Sequence, residues 1–111
     1  MSVTRQQGKG RSGNASPIRQ LTIKDEREGR DVRHLGIKIG DDGSLVLEGH
    51  DLGSTVAKFW PDDEYEYWLT VPANYRDTVL LWLIKERFSS DVEFREWLDE
   101  KGIPHEFANW T

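Results

Sequence analysis

All twelve aromatic side chains of this 111-residue chain lie between Phe59 and Trp110. A buried aromatic removes about 150–250 Å² from water, so this distribution governs where a core can form. Met1 to His34 offers only scattered aliphatics, Val3, Ile18, Leu21, Ile23 and Val32. A chain of this length falls within the size of one domain. The expectation is therefore a single core built from the C-terminal part of the chain.

Charge divides along the same line. Residues 1–34 carry eight basic and four acidic groups, a net of +4, and the first 24 residues contain no acid. The remainder carries seven basic and sixteen acidic groups, a net of −9, so the overall −5 conceals two opposite halves. The stretch Gln6-Gln7-Gly8-Lys9-Gly10-Arg11-Ser12-Gly13-Asn14-Ala15-Ser16-Pro17 is polar and rich in glycine and serine. It has too little apolar surface to offset the entropy of ordering. Thr22 to His34 lacks an apolar stripe and contains Gly29, which leaves at most a transient charged helix. The expected organisation is a basic, disordered arm over 1–34 and one compact α+β domain over 35–111.

Within the domain, apolar periodicity and turn chemistry set the elements. Leu35-Gly36-Ile37-Lys38-Ile39 and Leu45-Val46-Leu47-Glu48 flank Gly40-Asp41-Asp42-Gly43, a β-hairpin whose Asp-Gly pair tolerates the tight turn. Asp51 is placed to cap a helix with Leu52, Val56, Phe59 and Trp60 on one face and Pro61 as its stop. Tyr65 to Val71 is rich in aromatic and β-branched residues and predicts a strand. Pro72 opens a helix reaching Phe88, and its apolar run Val79–Ile84 predicts a central position. Ser90 and Glu93 form a capping box for a last helix with Phe94, Trp97 and Leu98 inward. Gly102, Ile103 and Pro104 end that helix as a Schellman motif does, and His105 to Trp110 alternates as a final strand. The order ββαβααβ predicts a small three- or four-stranded sheet with helices packed on one face.

The chain has no cysteine, so disulfides, thiolate metal sites and cysteine nucleophiles are excluded, which fits a reducing compartment. Its opening residues lack the apolar run of a signal peptide, and Val79–Ile84 is far short of the roughly 20 residues that span a bilayer. The expected location is the cytoplasm, away from membranes.

Short motifs carry little chemistry here. Gly8-Lys9-Gly10-Arg11-Ser12-Gly13 matches G-x-G-x-x-G, but no strand is expected before it and no helix after it, so a dinucleotide cradle is not predicted. Asn14-Ala15-Ser16 matches a glycosylation acceptor in a chain with no visible route to the secretory pathway. Asp62-Asp63-Glu64, with Glu66 beyond, lacks the spaced ligands of a calcium loop. The pairs His50-Asp51 and His105-Glu106 each put an imidazole beside an acid. Asp51, however, already serves as a helix cap, and Glu106 points to the opposite strand face. No catalytic residue, metal site or cofactor is predicted.

Trp68 shares a strand face with Glu66 and Thr70, opposite Tyr65, Tyr67 and Leu69. Trp110 is a candidate for the same face. Exposed aromatics beside carboxylates suit a protein interface. The leading expectation is a small interaction or regulatory module whose surface of Asp62, Asp63, Glu64, Glu66, Trp68 and Trp110 engages a basic protein partner; homodimerisation without other function is a separate alternative. The rivals are a nucleic-acid-associated protein binding through the basic arm and a small enzyme using His50 or His105.

Overall fold

The computed structural model describes residues 13–53 and 64–110, together with the backbone of residues 5–7. The fold is α+β. Its elements are β1 (Arg5–Gln7), β2 (Gln20–Glu28), β3 (Asp31–Ile39), β4 (Leu45–Leu52), β5 (Glu64–Val71), a short 3-10 turn (Ala73–Tyr75), α1 (Arg76–Arg87), α2 (Asp91–Lys101) and β6 (Ala108–Trp110). They group into two compact units, Ile18–Leu81 and the pair Met1–Pro17 with Trp82–Thr111. No helix among the described residues is long and apolar enough to cross a membrane.

The first unit is a four-stranded antiparallel sheet in the order β2-β3-β4-β5, each strand pairing with its neighbour in sequence. The expected hairpin is β3 and β4, longer at both open ends than the alternation alone indicated. Its turn is held from within by Asp42, whose Oδ1 accepts from Ser44 N at 3.0 Å and from Ser44 Oγ at 2.6 Å. It is held from outside by Arg19 and Arg76, which donate to Gly40 O and Gly43 O, each at 3.1 Å. Gly43 takes φ 85°, a left-handed conformation that favours glycine.

Two expectations are corrected in this unit. The boundary at His34 and Leu35 falls inside β3, and residues 20–34, expected outside the fold, form β2 and the start of β3. β2 is exposed along its whole length, so its stability comes from the backbone ladder to β3 and not from burial. Its charges also protect an open sheet edge. Gly29, read as a helix breaker, occupies the first central position of the two-residue turn between Glu28 and Asp31 with φ 61°, where hairpins favour glycine. Asp51 and Leu52 are likewise not the start of a helix. They close β4, opposite Tyr65 and Glu64, because their backbone groups pair with β5. The rest of that expected helix, with Val56, Phe59, Trp60 and Pro61, lies outside the described residues.

The pairing register separates two faces. Leu35, Ile37, Ile39, Leu45, Leu47, Tyr65, Tyr67, Leu69 and Val71 share the apolar face. There the Tyr67 ring lies over its cross-strand partner Gly49, so close that any side chain at position 49 would collide with it. Tyr65 stacks on Tyr67 with ring centroids 5.3 Å apart. The other face is polar.

In the second unit, α2 is capped as its sequence requires. Ser90 Oγ accepts from Glu93 N at 3.2 Å. The Glu93 carboxylate reaches one residue further back than the usual box, accepting from Ser89 N at 3.0 Å and Ser89 Oγ at 2.9 Å. These bonds hold its pKa below the ordinary value. Gly102 ends the helix at φ 69°, and Ile103 N donates to Leu98 O at 2.9 Å, the long bond of a Schellman motif. Phe88, Phe94 and Trp97 form a compact aromatic cluster, with Phe88 and Phe94 stacked at 5.0 Å and Trp97 edge-on to both. Arg95 covers Phe107 at 4.0 Å from the ring centroid.

The expectation that the Pro72–Phe88 helix is central does not hold. α1 has no buried residue, and Leu80, Leu81, Trp82 and Leu83 are each more than half exposed. A helix apolar on every side is buried only where other elements surround it. Here only Arg76, Val79 and Ile84 of α1 are even half-buried. Of the described aromatics, the tyrosines of β5 belong to the sheet unit and the Phe88 cluster to the other. The final strand is shorter than expected, and it pairs with β1, Arg5 opposite Trp110, not with the main sheet. Because β1 precedes Gly8, the G-x-G-x-x-G stretch does follow a strand. Residues 13–18 beyond it are not helical, so it still lacks the helix N-terminus that would hold a pyrophosphate.

Candidate functional site

Chemistry-bearing side chains concentrate on the polar face of the four-stranded sheet. In an antiparallel ladder directly opposed residues project to one side with Cβ atoms about 4.5–5.5 Å apart. One such row runs across all four strands as Asp25, His34, His50 and Glu66. Glu64 stands two residues before Glu66 on β5 and therefore on the same face.

The side chains in this row meet. His50 Nε2 lies 2.9 Å from Glu64 Oε1 and 3.7 Å from Glu66 Oε1, so two carboxylates converge on one imidazole nitrogen. His34 Nδ1 lies 3.7 Å from Asp25 Oδ1. Next along the strands, Lys38 and Glu48 form a 2.8 Å ion pair. Gly36 leaves the face open between His34, Lys38 and Glu48, where a groove of ≈ 350 Å³ also touches Gln20 and Thr22. Trp68, opposite Glu48 in the register, is 62% exposed. At this end the sheet presents an indole flanked by the carboxylates of Glu48 and Glu66.

Of the residues singled out from sequence, Glu64, Glu66 and Trp68 lie together on this face, while Asp62 and Asp63 lie outside the described residues. Trp110 is not on a strand of this sheet. It is 71% exposed, on β6 of the other unit, because the strand that carries it pairs with β1. The two histidines have different settings. His50 belongs to the sheet face. His105 donates from Nδ1 to Ile103 O at 2.8 Å and places Nε2 3.3 Å from Asp99 Oδ1, a bracket across the end of α2. The ring is 16% exposed.

Sequence reasoning missed the row itself. The expected boundary leaves His34 in the arm, and the chain neighbour of His50, Asp51, projects to the opposite face. The signal was present in the hairpin. Counting equally outward from the Asp41-Asp42-Gly43 turn pairs Ile39 with Leu45 and His34 with His50. The approach of Glu66 and Glu64 could not be counted in this way, because residues 53–63 separate β4 from β5 in the sequence and carry no two-residue turn motif that would mark a centre to count from.

No protein-family model matches the chain, and no curated protein or solved structure is significantly similar to it.

Proposed function

We propose that this chain is a protein-interaction module that engages a basic partner through the polar sheet face, with Trp68 as the anchor. The observation that supports this reading is the 62% exposure of Trp68 on β5, paired to β4 beside Glu48 and Glu66. An indole face attracts a guanidinium or ammonium group by about 0.5–2 kcal/mol. Flanking carboxylates add charge-assisted hydrogen bonds and steer the encounter. Tryptophan is also enriched among the few residues that dominate interface energetics. The surplus of acid after His34, a net of −9, favours the same class of partner at long range.

Equilibrium titration of the full chain with an arginine-rich peptide tests the proposal. Saturable binding that weakens with salt is expected, and Trp68→Ala should weaken it by about tenfold or more. Glu66→Lys should weaken it further at low salt than at high salt. Binding that is unchanged in both variants would assign the interaction to another surface and overturn the reading.

A further inference from the structure

We infer that His50, Glu64 and Glu66 form a binding site for a transition-metal dication of the zinc class. The inference does not rest on the interaction reading, although the two share Glu66. One ligand atom from each of the three side chains can be chosen so that all lie within 4.8 Å of one another. A tetrahedral ion with ligands at about 2.0–2.2 Å needs them roughly 3.3–3.6 Å apart. The 2.9 and 3.7 Å separations from His50 Nε2 to the two carboxylates lie close to that spacing.

The scaffold favours this arrangement. His50 and Glu66 are directly paired across two adjacent strands, and Glu64 is diagonal to His50 on the same face. No loop has to be ordered to bring the ligands together. Two carboxylates balance the charge of a dication, and the Nε2 lone pair is available when the imidazole carries its proton on Nδ1. The imidazole selects the metal, because calcium and magnesium prefer shells made only of oxygen whereas zinc, cobalt and nickel accept nitrogen. Three protein ligands leave one tetrahedral position for water or an incoming ligand, as in open zinc sites. The three side chains are 37%, 51% and 49% exposed. A solvated site of this kind binds less tightly than a closed four-ligand structural site, so a dissociation constant on the order of 10 µM is expected.

Isothermal titration of the full chain with Zn²⁺, paired with visible absorption on adding Co²⁺, tests the inference. One equivalent of Zn²⁺ should bind, and Co²⁺ should give the intense d–d bands of a four-coordinate ion. His50→Gln and the double variant Glu64→Gln/Glu66→Gln keep the size of the side chains and should each weaken binding by about tenfold or more. Glu48→Gln, on the same face but outside the triad, should change it by less than about threefold. Amide shifts on adding Zn²⁺ should centre on residues 48–52 and 64–68. The inference is overturned by the absence of saturable binding below about 1 mM, by equal losses in Glu48→Gln and His50→Gln, or by shifts centred on residues 99–106, where His105 meets Asp99.

Discussion

The two units of this protein are stabilised by different means. In the helical unit, apart from the pairing of β1 with β6, the contacts that define α2 are local, since its caps lie within a few residues of its ends and Phe88, Phe94 and Trp97 cluster within ten positions of one another. In the sheet unit the contacts are distant in sequence. Arg19 reaches Gly40, Arg76 reaches Gly43, and His50 meets Glu64 and Glu66 across two strands. The difference shows where function can be assembled. Local contacts define an element, whereas long-range pairing brings dissimilar side chains to one place, and the candidate site lies in the unit built that way.

Substitutions separate the two modes, and the largest effect is expected in the sheet. Gly49→Val drives a branched side chain into the Tyr67 ring and should cost about 3 kcal/mol. Hydrogen exchange should then show loss of protection in β3, β4 and β5 before α2. Trp97→Ala, which removes the edge-on ring from a half-buried cluster, should cost about 2 kcal/mol and lower protection first in α2. Equal loss of protection across both units in either variant would break the comparison.

Smaller effects sharpen it. Ser90→Ala removes the cap of α2 and should cost about 1 kcal/mol, read as a fall in the denaturation midpoint at unchanged slope. At the sheet turn, hydrogen bonds from Ser44 hold the Asp42 carboxyl below its ordinary pKa. The folded state thus favours ionised Asp42. Its contribution is fully present above the ordinary aspartate value and is lost as pH falls through the lowered one. The Ser44 amide shift should follow Asp42 with an acidic midpoint below that of a free aspartate, and Asp42→Asn should abolish the transition. A midpoint at the ordinary value would mean that the turn is not held by Asp42.

The two proposals meet at Glu66. Saturating Zn²⁺ neutralises carboxylate charge beside Trp68 and should lower affinity for a basic peptide. In His50→Gln, where the metal site is impaired, the peptide affinity should no longer respond to Zn²⁺. A response that persists in His50→Gln would separate the two surfaces.

Much of the helical unit was legible in the sequence. Ser90, Glu93, Gly102 and Ile103 act within one helical turn of their targets, so their spacing alone identified the ends of α2. The β3–β4 turn and the alternation of Tyr65 to Val71 were legible for the same reason. β2 was not, since its exposed, charged residues carry no burial pattern and its order depends on the ladder to β3. The exposure of α1 was not legible because an all-apolar run indicates a need for partners without locating them. Of the candidate site, the presence of Glu66 and Trp68 on one strand face followed from period-two geometry. Their neighbours His50 and Glu48 did not, because adjacency across strands is a property of register.

The sequence by itself determined the α+β class, the caps of α2, the hairpin turn at Asp42 and Gly43, and which residues of β5 face together, because each follows from interactions spanning a few residues. Only the tertiary structure decided that residues 20–34 belong to the sheet, that Trp110 pairs away from it, and that His50 meets two glutamates from the next strand. Those outcomes depend on backbone hydrogen bonds between segments whose register no local pattern specifies.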